Sequence, residues 1–345
     1  MKHGGDLVSY QHLYDGQLLD FSSNINPLGY PEILDTVLPE ALTALTAYPD
    51  IQYRALRTAI AEYLNCRPDE VLVGNGSMDI LEHFCREAKR IVVCTPCFSE
   101  YIERPRVYRK AVRMLRLPED FRVHASLFEK ELQTGDVLIL GNPNNPTGLR
   151  IVESELQAIS QLVEERQAFL VLDEAFFEFC SEDYDSISLF SGKTHVCVIR
   201  AATKFFGLPG IRLGYAWAAQ TVAQNYAAAA LPWRVNALAD AAGRVIFQET
   251  DYIARSKKLI SGQRQFMLSQ LTELAEIRTF PSEANFILLK LLHAAEDDLF
   301  QRLIRQGLLI RKASSFEGLD RTYIRVAVKD PQSNRKLIQA LKSAV

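Results

Sequence analysis

Lys204 stands in "TKFFGLPGIRLGY", residues 203–215, behind an apolar run and ahead of two phenylalanines. Burying an amine is costly unless it is paired or neutralised. One reading is a lysine that threads its stem through apolar surface and keeps its head in water. The other is an amine with a lowered pKa, able to form a Schiff base. Arg212, on the far side of a Gly-Leu-Pro-Gly turn, would lower that pKa further. Asp173 closes the strand-like run "AFLVLD" and is a helix cap, a solvated strand end or the partner of a cation. "GNGS", residues 74–77, joins an apolar run to a helical one, where backbone amides can bind phosphate. Thr203 and Arg212 could add a hydroxyl and a guanidinium to the same anion. "NPNNPTG", residues 142–148, is a loop or a rigid holder for an asparagine that donates to a ligand oxygen.

The elements that position these residues are legible in the hydrophobic pattern. Short runs rich in Val, Ile and Leu recur without strict alternation, which is how strands buried on both faces read. They are "EVLVGN", "RIVVC", "DVLILG", "AFLVLD", "HVCVIRA" and "RLGYAWA", separated by helical stretches such as 52–64, 77–89 and 152–166. This alternation predicts an α/β fold with a mostly parallel sheet covered by helices. Ligands in such sheets bind beyond the carboxyl ends of the strands, where Ser77, Phe98, Asn145, Asp173 and Lys204 fall. A helix is expected over 31–47. From about residue 232 the texture turns helical over a long stretch, then to a small α+β unit with "NFILLKL", "LLIRKA" and "TYIRVAVK".

The chain has 345 residues, 48% of them hydrophobic, and a net charge of −3. That balance argues against a nucleic-acid partner. No run is long and apolar enough for a membrane span, and no secretory leader opens the sequence. A cytoplasmic setting with free thiols is expected. The single CxxC, Cys94 to Cys97, lacks the second pair a metal site would need and reads as structural.

Taken together, "GNGS", "NPNNPTG", "DEAF", "TKFFGLPGIRLGY" and "IRVAV" resemble the pyridoxal-phosphate-dependent aminotransferases of classes I and II, fold type I. They occur in the family's order over nearly the whole chain. The resemblance implies a seven-stranded, mostly parallel sheet in a large cofactor domain at 45–235. Residues 1–44 and 236–345 would form a smaller domain, with the N-terminal segment as a lid. It implies pyridoxal 5'-phosphate bonded to Lys204, with Asp173 on the pyridine nitrogen and Asn145 on the ring hydroxyl oxygen. Phe98 would stack on the ring, and Gly76, Ser77, Thr203 and Arg212 would hold the phosphate. Tyr48 would reach the phosphate of the other subunit of a homodimer. Arg325 and Arg311 would bind anionic groups of the substrate. Phe176 and Ala201 depart from the family pattern, which commonly has a tyrosine and a Ser or Thr at these places.

Within the family the chain looks closest to the branch holding histidinol-phosphate aminotransferase and L-threonine-O-3-phosphate decarboxylase. "KHGGD", "LDFSSNINPLGYP" and "LLIRKASSFEGLDRTYIRVAVKD" are similar to the decarboxylase. This implies a lyase that converts O-phospho-L-threonine to (R)-1-amino-2-propanol O-2-phosphate and CO₂ in cobalamin biosynthesis. His3 and Asn24 would then fold over the substrate. The alternative is an aminotransferase acting on a phosphorylated amino substrate such as histidinol phosphate.

Overall fold

A computed structural model describes residues 3–344. A two-residue strand, β1 (Leu19–Asp20), lies ahead of a seven-stranded sheet. That sheet is built from β2 (Val71–Asn75), β3 (Arg90–Thr95), β4 (Ala111–Arg116), β5 (Asp136–Gly141), β6 (Phe169–Asp173), β7 (Val196–Ala201) and β8 (Leu213–Ala218). Its order is β2-β8-β7-β6-β5-β3-β4. All neighbours run parallel except β8, which is antiparallel to both β2 and β7. The central strands are apolar on both faces because helices cover both. Leu138, Leu170, Val171, Leu172, Val196 and Val198 are fully enclosed.

The C-terminal part holds a four-stranded antiparallel sheet of β9 (Ile277–Thr279), β10 (Phe286–Leu291), β12 (Arg311–Lys312) and β13 (Tyr323–Ala327), in the order β12-β13-β10-β9, and the helix Pro331–Ala344 follows it. Between β10 and β12, β11 (Leu308–Leu309) pairs in parallel with β1. Phe21 continues that seam: its N–H donates to the Leu309 carbonyl and its own carbonyl accepts from Ala327. The N-terminal segment is thereby sewn to the C-terminal sheet.

Two stretches differ from the sequence reading. The helix expected over 31–47 is an α-helix at Leu34–Ala41 followed by a 3₁₀ turn at Leu42–Thr46. The long helical stretch after 232 divides into Ala237–Gly243, a 3₁₀ turn at Ile246–Gln248 and the long helix Thr250–Thr272. The break brings Gly243 against Leu56 and Leu213, where a β-carbon would meet their methyl groups at 2.4 and 2.7 Å. β4 lacks a continuous apolar run because it is an edge strand, with Ala111, Arg113 and Arg116 exposed.

Candidate active site

The carboxyl ends of β5, β6 and β7 open onto a cavity of about 250 Å³ whose other wall is the C-terminal sheet. Lys204 lies in the turn after β7. Its carbonyl accepts from the Asn26 N–H at 3.0 Å. The Asn26 amide nitrogen lies 2.8 Å from the Phe205 carbonyl and 2.8 Å from Ser256 Oγ, and Tyr252 also donates to that carbonyl. Asn26 is therefore a clamp on the lysine's backbone. Gly207 takes φ +64, and a β-carbon there would stand 2.4 Å from the Gly29 carbonyl, so the turn and the 26–30 loop require glycine.

Burial, reinforced by the nearby charges of Arg325 and Arg212, lowers the Lys204 ammonium to about 8. Asp173 accepts from Tyr101 Oη at 2.7 Å and from the Ala175 N–H at 3.0 Å. Burial raises its carboxyl, while those donors and Lys204 pull the other way. It is the one carboxylate among the described lining residues, against Lys204, Arg212, Arg311 and Arg325. The cavity is thus a place for anions.

Ser77, at the start of the helix Ser77–Glu87, shares the wall with Thr203, Ala201 and Arg212. Arg212 holds a left-handed backbone, φ 61. Gly76 lies outside the lining, and its N–H already donates to the Gly74 carbonyl at 2.8 Å. What that position supplies is clearance, since a β-carbon on it would sit 2.3 Å from Arg212 Nη2.

Phe98, Asn145, Phe176, Arg311 and Arg325 all face the same space. Asn145 Oδ1 accepts from Arg325, which also donates to the Ser22 carbonyl at 2.7 Å. Phe176, without a hydroxyl, packs edge-on against Phe286 at 5.0 Å. Burial lowers Arg325 to about 9 and Arg311 to about 10. His3 and Asn24 also reach the cavity, His3 with its Nε2 3.2 Å from Glu100. The buried Asn24 Oδ1 has no hydrogen-bond partner among the described residues, as suits a group aimed at a ligand. Tyr48 is not brought there: it is 78% exposed and stacks on Trp233 at 4.3 Å.

The sequence reading missed Asp20, Tyr101 and Phe316. Asp20 Oδ1 accepts from the Ser22 N–H at 2.8 Å and the Ser22 hydroxyl at 2.6 Å, fixing the carbonyl that Arg325 uses. An aspartate two residues before a serine in a turn-rich stretch is a legible signal for this. Tyr101 carried none, because its partner Asp173 is 72 residues away, and Phe316 carried none, because its place against Arg311 and Arg325 depends on strand register. Cys94 and Cys97 are buried free thiols, and burial pushes Cys94 up to about 12.

The aminotransferase class I and II family matches residues 16–341. The chain belongs to that family. This family member is 39% identical, over 99% of its length and 96% of the relative's, to a Caldanaerobacter subterraneus protein named "Putative threonine-phosphate decarboxylase". It is 32% identical to the threonine-phosphate decarboxylase of Salmonella typhimurium, over 99% of this chain and 96% of that one. Among solved structures it is similar to a histidinol-phosphate aminotransferase from Clostridium acetobutylicum. The TM-score is 0.91 at 32% identity, covering 94% of this chain and 98% of that one. No helix among the described residues is long and apolar enough to cross a membrane.

Proposed function

We propose that this family member is a pyridoxal-phosphate-dependent decarboxylase of O-phospho-L-threonine, releasing CO₂ and (R)-1-amino-2-propanol O-2-phosphate for cobalamin biosynthesis. The observation that carries this reading is one cavity holding a buried amine and two buried arginines, in a chain 39% identical end to end to a relative named for that activity.

The lining fits the cofactor in charge and shape. Lys204 would hold it covalently, Asp173 would face its pyridine nitrogen, and Phe98 would cover its ring. Ser77, Thr203 and Arg212 would take its phosphate, while Ala201 offers no side-chain donor where the family commonly has a Ser or Thr. When bound, the cofactor supplies the electron sink for the pair left at the substrate α-carbon. The chain's own residues do the rest. Asp173, a carboxylate fixed by Tyr101 and the Ala175 N–H, keeps a proton at the nitrogen it faces. Arg325 and Arg311 bind the substrate's carboxylate and phosphate. His3 and Asn24 close over that end and exclude water. Once the bond from Cα to the carboxylate breaks, the α-carbon needs a proton, and Lys204 Nζ would carry it.

A large domain at 45–235, with residues 1–44 and 236–345 as the smaller one, suits this arrangement. We further propose a cytoplasmic homodimer in which Tyr48 completes the phosphate site of the other subunit. Its exposure beside Trp233, Ile51 and Leu231 supports that placement.

The test is CO₂ release from O-phospho-L-threonine with no keto acid present. Sustained release over many turnovers supports the decarboxylase. The similarity in fold to a histidinol-phosphate aminotransferase favours a second reading. Amino transfer from histidinol phosphate to 2-oxoglutarate, without CO₂ release, would establish it.

A further inference from the structure

The register of β12 against β13 sets Arg311 directly opposite Arg325. Like charges facing each other across an antiparallel pair oppose folding, and here both side chains are buried. Arg325 donates to Asn145 and the Ser22 carbonyl, and Arg311 donates to Ser315 Oγ at 2.6 Å. Glu296 is the carboxylate whose field reaches Arg311, but its oxygens accept from the Ser314 N–H and hydroxyl.

What the two arginines share is one ring. Phe316 lies with its centroid 5.0 Å from the Arg311 guanidinium carbon and 5.8 Å from that of Arg325. The ring is buried, forms part of the cavity wall, and is fixed by its own N–H donating to the Ala313 carbonyl. An aromatic face attracts a guanidinium without neutralising it. It also fills the space in which two opposed guanidiniums could otherwise converge on a single anion.

We propose that Phe316 is a specificity-determining residue: its ring holds Arg311 and Arg325 as two separate anion-binding groups, selecting ligands with two anionic groups over ligands with one. This rests on the reading that both arginines face the substrate. A leucine at 316 keeps apolar volume but has no π face. It lets the two side chains close on one phosphate.

The experiment is calorimetric titration of the holoenzyme with phosphoglycolate, which has a phosphate and a carboxylate, and with inorganic phosphate. Neither probe has an amine, so neither reacts. Wild-type protein should prefer phosphoglycolate. Phe316→Leu should shrink that preference about tenfold, and Phe316→Tyr, which keeps the ring, should retain it. Cofactor absorbance should be the same in all three. If Phe316→Leu does not fold, Phe316→Met replaces it. An unchanged ratio in the ring-less variant, or no preference in wild type, overturns the proposal. Failure of wild-type protein to release CO₂ from O-phospho-L-threonine would instead overturn the decarboxylase reading, and the ratio would still report on Phe316.

Discussion

Two buried arginines of this molecule live in opposite surroundings. Arg200, on β7, donates through Nε and Nη2 to Glu174 and through Nη2 to Asp185. Glu174 also accepts from Asn142 and Ser186, so its lone pairs are occupied as well. Burial opposes the Arg200 charge, but these carboxylates outweigh it and the group is held above its usual range. Arg325 is as buried, donates to neutral oxygens, and has an Nε with no partner among the described residues. Burial pulls it down to about 9. A buried cation already matched by carboxylates serves the fold. One left to neutral acceptors keeps its capacity for an anion that arrives later.

Lys204 belongs with Arg325, being half-buried with its charge disfavoured by burial and by two nearby arginines, and its loss should have the largest effect. We expect Lys204→Ala to reduce turnover by on the order of 10³-fold or more and to abolish the cofactor's visible band. A surviving band would mean that the amine lies elsewhere. Arg325→Met should cost roughly 10²-fold in turnover while leaving apo-protein stability within about 1 kcal/mol or raising it. Urea unfolding checks the second half, and a large loss of stability would move Arg325 into the structural class.

Glu174→Gln should do the reverse. It leaves Arg200 with Asp185 as its one hydrogen-bonded carboxylate and should lower unfolding free energy by about 2 kcal/mol, with a smaller effect on substrate affinity than Arg325→Met.

The pH dependence of the apo-protein sharpens the same contrast. Lys204 falls from 10.5 to about 8 on folding. Between these values the unfolded chain binds more protons, so stability rises with pH there, and below about 8 the penalty is complete. Lys204→Met should therefore stabilise the apo-protein more at pH 7 than at pH 10, measured by urea midpoints. Equal gains at both would show that the amine pays no charge penalty. The smallest effect is expected from Tyr101→Phe, which removes one donor from Asp173. Cofactor affinity should weaken about fivefold, read by titrating pyridoxal phosphate into the apo-variant.

The residues on the sheet side of the site were legible because each ends an apolar run or starts a turn: Asp173 after "FLVL", Asn145 among prolines, Lys204 after β7. Their physics is local. The C-terminal side was legible only in part. Arg311 and Arg325 were found in sequence, but their face-to-face register depends on how β12 pairs with β13, and Phe316 acquires meaning only from that register. Asn26 stands in a run of turn formers, and its partners Phe205 and Ser256 are brought to it only by the fold. The seam of β1 with β11 rests on two register pairs, Leu19 with Leu308 and Asp20 with Leu309. That is too short for any periodicity to announce.

That short seam has an evolutionary consequence. It places Ser22 and Asn24 over the cavity as an appendage of the same sheet that bears Arg325, while Lys204 and Asp173 belong to the other. A lineage could therefore exchange residues 19–24 together with the 311–325 hairpin and inherit a different choice of molecule, provided that Asn26 and its hold on the Lys204 carbonyl are kept. The machinery acting on the α-carbon would pass through that exchange untouched.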